Sequence, residues 1–429
     1  MLPALIIFLL TYLLMLALPQ YRPFAALGGA ALFLALGAAG LWDFTLMDAA
    51  RAVDFNVLLM MAGTMGTVSL FIESRMPARL AELLIVRVPN VKWAVCMLAL
   101  FAGVISAFVD NVATVLMVAP VGLAIARKLK ISPVPVLIAI AVSSNLQGAA
   151  TLVGDTTSIL LGGHMGLDFM DFFVYRGRPG LFWVVQAGAL MTVPVMLFLF
   201  RKEKGKLYGA ALTPVTDYLP TCLLLGTVLS LIAASFIPNK PEITNGLICM
   251  TFFLAGLAAE CGRYGTALAK DVLKAIDYET LALLAGLFLV IRGIERAGII
   301  DDLSHIITGM GGGNLFLTYT IIVWASVLIS AFVDNIPYTA TMLPVVGGVA
   351  TALGVDQTVL CFGLLVGATL GGNLTPVGAS ANIAACGILR REGYEVSAGQ
   401  FMRIGVPFTL TAVLTGYVLC WLFYVGLGV

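Results

Sequence analysis

Charge is what this chain has least of. Only 11% of its 429 residues are Asp, Glu, Lys or Arg, against 60% hydrophobic ones, and the mean hydropathy is +1.03. A water-soluble fold of this length has too little interior to hide so much apolar surface. The bilayer is therefore the solvent, and a net charge of +1 gives no reason to expect nucleic acid as a partner. Histidine is scarce too, with only His164 and His305, and no nucleophile–base pair or His/Glu metal motif appears, which argues against a membrane enzyme. The seven cysteines (Cys96, Cys222, Cys249, Cys261, Cys361, Cys386 and Cys420) stand singly in apolar stretches, without metal spacing or a loop pair. They read as small buried hydrophobes, not as a disulfide framework. No basic flank precedes the apolar run Leu2–Leu18, so it reads as a first membrane helix and not as a signal peptide.

What the chain does have is apolar runs of membrane length. They predict an all-α integral membrane fold, a single transmembrane transporter domain over residues 1–429 with about ten crossings. These lie near 3–18, 24–41, 56–72, 134–160, 181–200, 218–237, 244–262, 280–296, 357–388 and 404–427. Two further stretches, Trp93–Ala126 and Phe316–Ala350, are each broken near the middle by an Asp-Asn pair. Their arms of about 16 residues fall short of the ~20 that a crossing needs, so each stretch is expected to be a re-entrant helical hairpin.

The chain repeats itself. Ser-Ala-Phe-Val-Asp-Asn occurs at 106–111 and again at 330–335, an offset of 224, each copy leading to a proline, Pro120 or Pro344. The same offset carries Thr151-Leu152-Val153-Gly154 onto Thr375-Pro376-Val377-Gly378, and an offset of 223 carries Asp54-Phe55 onto Asp277-Tyr278. Internal repeats are expected over about 50–200 and 274–427, linked by 201–273. Basic residues give their relative orientation. Arg127, Lys128 and Lys130 follow the first broken stretch, whereas its counterpart 351–356 has none; Arg390 and Arg391 follow the later span of the second repeat, whereas 166–171 carries only acids. The swap predicts inverted repeats, with Arg201, Lys202, Lys204 and Lys206 in a cytoplasmic loop and both termini outside the plasma membrane.

Asp110-Asn111 and Asp334-Asn335 would form the hairpin tips, entering from opposite faces. Residues of these types also cap ordinary helices. An ionisable group deep in a bilayer, however, costs several kcal/mol unless partnered, and its recurrence in both halves points to an ion site. A second pair of segments, Ser143–Thr157 and Gly371–Asn382, places Gly, Pro, Asn and hydroxyl residues at mid-membrane. These would break the helix and free carbonyl oxygens for a hard cation such as Na⁺. Asp155 has no acidic counterpart, since Ala379 stands at that offset. Arg292 and Glu295, one turn apart, are expected to neutralise each other.

On the words Ser106–Pro120, Ser143–Ser158, Ser330–Pro344 and Gly371–Asn382, the chain resembles the ion transporter superfamily of arsenite permeases, sodium/proton antiporters and P-protein-like permeases. It is more distantly similar to sodium/dicarboxylate symporters, which carry Ser-Asn-Thr where this chain has Asp-Asn. The resemblance implies opposed hairpins, discontinuous helices, a homodimer, and an ion held between the tips. It assigns the tips to Asp110, Asn111, Asp334 and Asn335 and the unwound positions to Asn145, Thr151, Asn373 and Thr375, and with Asp155 these make up the candidate ion or substrate site. A candidate Na⁺ would lie among Asp110, Asn111, Asn145, Asp334 and Asn335, with no other cofactor. Three acids in one pocket would repel a dicarboxylate unless cations neutralised them. The sequence thus favours a secondary transporter of a small inorganic ion, by Na⁺/H⁺ antiport or proton-coupled arsenite or antimonite efflux. Na⁺-coupled citrate or dicarboxylate import comes next, and an ion channel is the alternative of another class.

Overall fold

The computed structural model describes residues 2–42, 44–85, 88, 90–129, 131–201 and 213–426. The sequence-predicted basic positions Lys130, Lys202, Lys204 and Lys206 lie outside these residues. In the first half the chain runs through α1 (Leu2–Ala17), α2 (Arg22–Ala38), α3 (Leu46–Ala52), α4 (Phe55–Glu73), α5 (Met76–Ile85), α6 (Val91–Ser106), α7 (Asn111–Leu129), α8 (Pro133–Gly148), α9 (Thr156–Met165) and α10 (Leu181–Leu199). The second half repeats the order with α11 (Leu219–Ala234), α12 (Thr244–Tyr264), α13 (Thr266–Lys274), α14 (Tyr278–Arg296), α15 (Ile299–Met310), α16 (Leu315–Ser330), α17 (Asn335–Leu353), α18 (Thr358–Leu365), α19 (Ser380–Arg391) and α20 (Ala398–Trp421). A two-residue β-hairpin, β1 (Val174–Tyr175) against β2 (Arg178–Pro179), turns through Arg176 and Gly177, both at positive φ as a type I′ turn requires.

By length and composition seven of the described helices can cross a membrane, or eight if α15 and α16, bent by 113°, count as one. The remaining crossings are made by shorter helices or by broken pairs. The main departure from the expected spans lies in α3, α5, α13 and α15. They are too short or too charged to register as crossings, and the apolar scan passed over them. The second hairpin arms, α7 and α17, have 19 residues each and exceed the expected length, while α6 and α16 have the expected 16. Cysteine placement also differs in part: Cys96, Cys249, Cys361 and Cys420 are buried, but Cys222 is exposed on the apolar surface.

Both broken stretches are hairpins. α6 and α7 each pack along α8, but in opposite senses. Ser106 bonds Ser144 and Gly103 abuts Gln147, so α6 ends where α8 ends; Asn111 bonds Asn145 while Gly122 abuts Val136 and Ile140, so α7 runs back along it. In the second half Gly363, Gly367 and Gly371 abut Tyr319, Val323 and Val327, a constant register of 44 that sets α16 parallel to α18 and its continuation.

Ion pairs fix the relative sidedness. Arg127 pairs with Glu392 and Arg176 with Asp356, 2.7 Å apart. The loop after the first hairpin therefore shares a face with the end of α19, and the loop after the second shares the opposite face with the end of α9. The repeats are inverted, as the swapped basic loops predict. The same relation orders the outer helices: Gly63 of α4 abuts Cys249 and Met250 of α12, and Gly286 of α14 abuts Ala26 and Leu27 of α2, every residue shifted by 223. A Cβ at either glycine would fall within 2.8 Å of backbone atoms, so only glycine permits this approach.

Candidate functional site

Two helix breaks meet the two hairpin tips in the interior of the helix bundle. α8 stops at Gly148 and the chain crosses residues 149–155 before α9 begins; α18 loosens into a π turn at Val366–Leu370 and a 3₁₀ turn at Gly372–Leu374, and Pro376 lacks the N–H to continue it. The freed groups find partners inside the protein, as a bilayer demands. Asn382 Nδ2 donates to the carbonyls of Gly372 and Thr375, each at 3.1 Å. Thr151 Oγ1 donates to the Ala107 carbonyl and Thr375 Oγ1 to the Ala331 carbonyl, the same latch in both halves. Beside them, a Cβ on Gly154 would meet the Ser106 and Ala107 oxygens at 2.6 and 2.7 Å, and one on Gly378 the Ser330 and Ala331 oxygens at 2.7 and 2.8 Å. Each hairpin tip is thus seated backbone to backbone on the break of its own repeat.

A cavity of about 200 Å³ lies where these pieces converge. Its wall includes Asn111, Thr156, Asn335 and Ser380, which are the first residues of α7, α9, α17 and α19. They form two pairs related by the offset of 224. The carboxylates of Asp110 and Asp155 lie in the same wall. Asp110 Oδ2 accepts from the Val112 and Ala113 amides at 3.0 and 3.1 Å, so it does cap α7. A second space of about 10 Å³, room for a single water-sized particle, is lined by Asp110, Asp155 and Thr64.

Around this cavity the side chains close a ring of hydrogen bonds. Asn111 Nδ2 donates to Asn145 Oδ1 at 3.0 Å and to Asp155 Oδ1 at 3.2 Å. Thr157 Oγ1 donates to Asp155 Oδ2 at 2.6 Å and lies 2.8 Å from Thr369 Oγ1, and Asn145 Nδ2 donates to the Thr369 carbonyl at 2.7 Å. Thr369 comes from the π turn of the other repeat, so the ring ties the halves together. Asn373 makes a second tie, from Nδ2 to the Val142 carbonyl at 2.9 Å. Asn335 Nδ2 is buried and has no partner among the described residues, leaving a donor at the cavity.

Of the residues singled out in the sequence, Asp110, Asn111, Asp155 and Asn335 line the cavity, and Asn145 holds Asn111 in place. Thr151 and Thr375 are turned to backbone, Asn373 donates to a backbone carbonyl while its Oδ1 has no partner among the described residues, and none of the three lines the cavity. Asp334 stands apart. Its Oδ1 accepts from the Ile336 amide at 3.1 Å, and its Oδ2 lies 2.9 Å from the guanidinium of Arg22 at the start of α2. Of the five residues expected around Na⁺, Asp110, Asn111 and Asn335 line the cavity, Asn145 bonds Asn111, and Asp334 lies apart, paired with Arg22. Among the described residues no group of three or more His, Cys, Asp or Glu could hold a metal ion. Arg292 and Glu295 pair at 2.6 Å as expected. Thr157, Thr369, Ser380 and Arg22 were missed. Thr369 and Ser380 stand 224 residues after Asn145 and Thr156, a signal within reach of the repeat; Arg22, between two apolar runs, reads as an ordinary loop charge.

The cavity extends toward the end of α4 at Ile72 and the start of α14 at Asp277 and Thr280. That face also bears Arg127, Glu392 and the Arg263–Asp217 pair, since α12 runs beside α4 with Gly246 against Asn56. On the opposite face a polar recess holds Asp54, Asn245 and the Lys240–Asp168 pair.

Known proteins are similar to this chain in sequence or in fold. An uncharacterized transporter of Mycobacterium tuberculosis is 31% identical over 383 residues, covering 88% of each chain. The 46 kDa membrane protein of Mycobacterium leprae is 29% identical over 98% of each, and the human P protein 27% identical over 86% of this chain and 53% of its own. Among solved structures, the Alcanivorax borkumensis YdaH transporter superposes with a TM-score of 0.59 at 15% identity over 86% and 85% of the two chains. Neisseria gonorrhoeae MtrF, of a class of antimetabolite efflux pumps, gives 0.54 at 14% identity over 86% and 81%. At those identities the likeness concerns the fold. The citrate transporter family matches residues 12–360, and with the relatives above it establishes that this chain is a multi-pass secondary transporter belonging to the citrate transporter family, CitMHS.

Proposed function

We propose that the protein carries a small oxyanion, with polycarboxylates such as citrate the first class to test, and that cations or protons at Asp110 and Asp155 accompany it. The observation that carries this reading is the convergence of four helix N-termini on a cavity that also holds Asp110 and Asp155, with Asp277 at its outer end. Each N-terminus presents roughly half a positive charge, so four contribute about +2, which offsets Asp110 and Asp155, while Asp277, the third carboxylate of the wall, caps the N-terminus of α14. With Na⁺, a divalent cation or H⁺ on the acids, the cavity turns net positive and admits an anion. The buried, unpartnered Asn335 donor then faces an acceptor oxygen. This reading reverses the preference drawn from the sequence, which rested on three acids in one pocket; Arg22 neutralises one of them.

The second reading is Na⁺/H⁺ exchange or proton-coupled arsenite or antimonite efflux, supported by the single-particle space between Asp110, Asp155 and Thr64. Positive-inside placement of Arg127, Arg263, Arg390 and Arg391 makes their face cytoplasmic, the termini external and the cavity open to the cytoplasm in a plasma membrane.

Proteoliposomes separate the two readings. Uptake of radioactive citrate that requires Na⁺, Mg²⁺ or a proton gradient supports the first. Proton movement driven by Na⁺ or arsenite, with no citrate uptake under any gradient, overturns it in favour of the second.

A further inference from the structure

The two hairpin tips are equivalent in sequence but not in surroundings. Asp110 lines the cavity, and no Lys, Arg or His among the described residues lies within ion-pair distance of it. Asp334 does not line the cavity. It is paired with Arg22, whose Nε is anchored on the Met15 carbonyl at 3.2 Å. Their side chains are 23% and 10% exposed, so the pair is largely withdrawn from water. Tyr12 of α1 closes the same region, donating to the Pro337 carbonyl at 2.8 Å.

A buried carboxylate at a hairpin tip requires a positive partner, and only two kinds are open to it: a cation from solution or one fixed to the chain. A guanidinium is permanently charged and cannot diffuse away. The inverted relation shows which half received it. With the shift of 223 that relates α2 to α12, Arg22 corresponds to Asn245, a neutral residue bonded to Lys240 in the opposite recess. One half of the protein thus supplies a tethered cation and the other does not.

We propose that Arg22 is a built-in counter-ion that takes the place of a coupling cation at the second hairpin tip, so that only the Asp110 tip exchanges a mobile cation. The inference rests on the reading of Asp110 as the coupling site. It makes Arg22, which touches neither the cavity nor the substrate, the residue that sets how many cations move per cycle. A chain with a neutral residue at position 22 would regain a cation site at Asp334.

Equilibrium binding of ²²Na⁺ to the purified full-length protein in detergent tests this. Arg22→Gln is expected to bind one more Na⁺ per chain than wild type, and Arg22→Gln/Asp334→Asn the same number as wild type. Equal binding by wild type and Arg22→Gln overturns the inference. Should Arg22→Gln fail to fold, the double variant, which carries no uncompensated charge, decides: retained wild-type binding upholds the inference, and loss of a site shows that Asp334 itself holds a mobile cation. The reading of Asp110 fails separately, if Asp110→Asn binds as much ²²Na⁺ as wild type.

Discussion

The Asn145 side chain donates to the backbone carbonyl of Thr369, 2.7 Å away and 224 residues further along the chain. That separation is the repeat offset itself, so each residue touches its own counterpart across the pseudo-twofold axis between the inverted halves. Contacts between equivalent positions occur only on such an axis. The site is therefore built at the symmetry element, where small displacements of one repeat against the other change access while the bonded ring can persist.

Asp110→Asn should abolish cation-coupled transport and leave folding intact, because the amide keeps the shape and still accepts from Val112 and Ala113. Initial rates in proteoliposomes against cation concentration provide the check. A normal rate and cation dependence would reduce Asp110 to a cap and move the coupling site to Asp155.

Asp334→Asn should cost stability where Asp110→Asn does not, since it leaves Arg22 unpaired. About 1–3 kcal/mol is expected, below the ~3–5 of a fully buried pair because Arg22 is partly exposed. Thermal unfolding in detergent should show the double variant Arg22→Gln/Asp334→Asn recovering most of the loss. A double variant no better than the single would mean that the pair contributes by packing alone.

Asn335→Ala should raise the KM for the transported oxyanion roughly tenfold, the equivalent of one lost hydrogen bond of about 1–1.5 kcal/mol, with a maximal rate close to wild type. An unchanged KM would show that the Asn335 donor never meets substrate.

Thr151→Val and Thr375→Val remove equivalent latches on the Ala107 and Ala331 carbonyls and should each cost about 1–2 kcal/mol. Serine at either position should restore the bond. Both hydroxyls face backbone, so any loss of ion affinity would follow displacement of the tip and be repaired by the serine variants. Weakened affinity in the serine variants would instead make the threonines direct ligands.

Single cysteines on a cysteine-free background test the membrane orientation. Positions 129 and 391 should label from the cytoplasm and 168 and 354 from outside. Labelling of 129 and 354 from the same side is incompatible with the Arg127–Glu392 and Arg176–Asp356 pairs.

The sequence alone determined the solvent, the membrane-length helices and the inverted repeat, but not the short helices α3, α5, α13 and α15, because the former depend on local composition and on a duplicated string. Apolar length sets what spans, basic loops set relative orientation, and the offset of 224 reports duplication directly. It also placed Asp110, Asn111, Asp155 and Asn335, whose side chains stand at breaks where a bilayer tolerates polar groups only near a site. It separated Asp110 from Asp334 only through Asp155, which shares a repeat with Asp110, since the two tips themselves lie in identical hexapeptides. Their difference comes from a guanidinium 312 residues away, and a partner at that distance in the chain is chosen by how α2 packs on α14 and not by any local pattern. The same holds for Thr369 and Ser380. Repeat arithmetic names them, but only the meeting of four helix ends in one cavity gives them a common role, because dipoles and donors act by position in space.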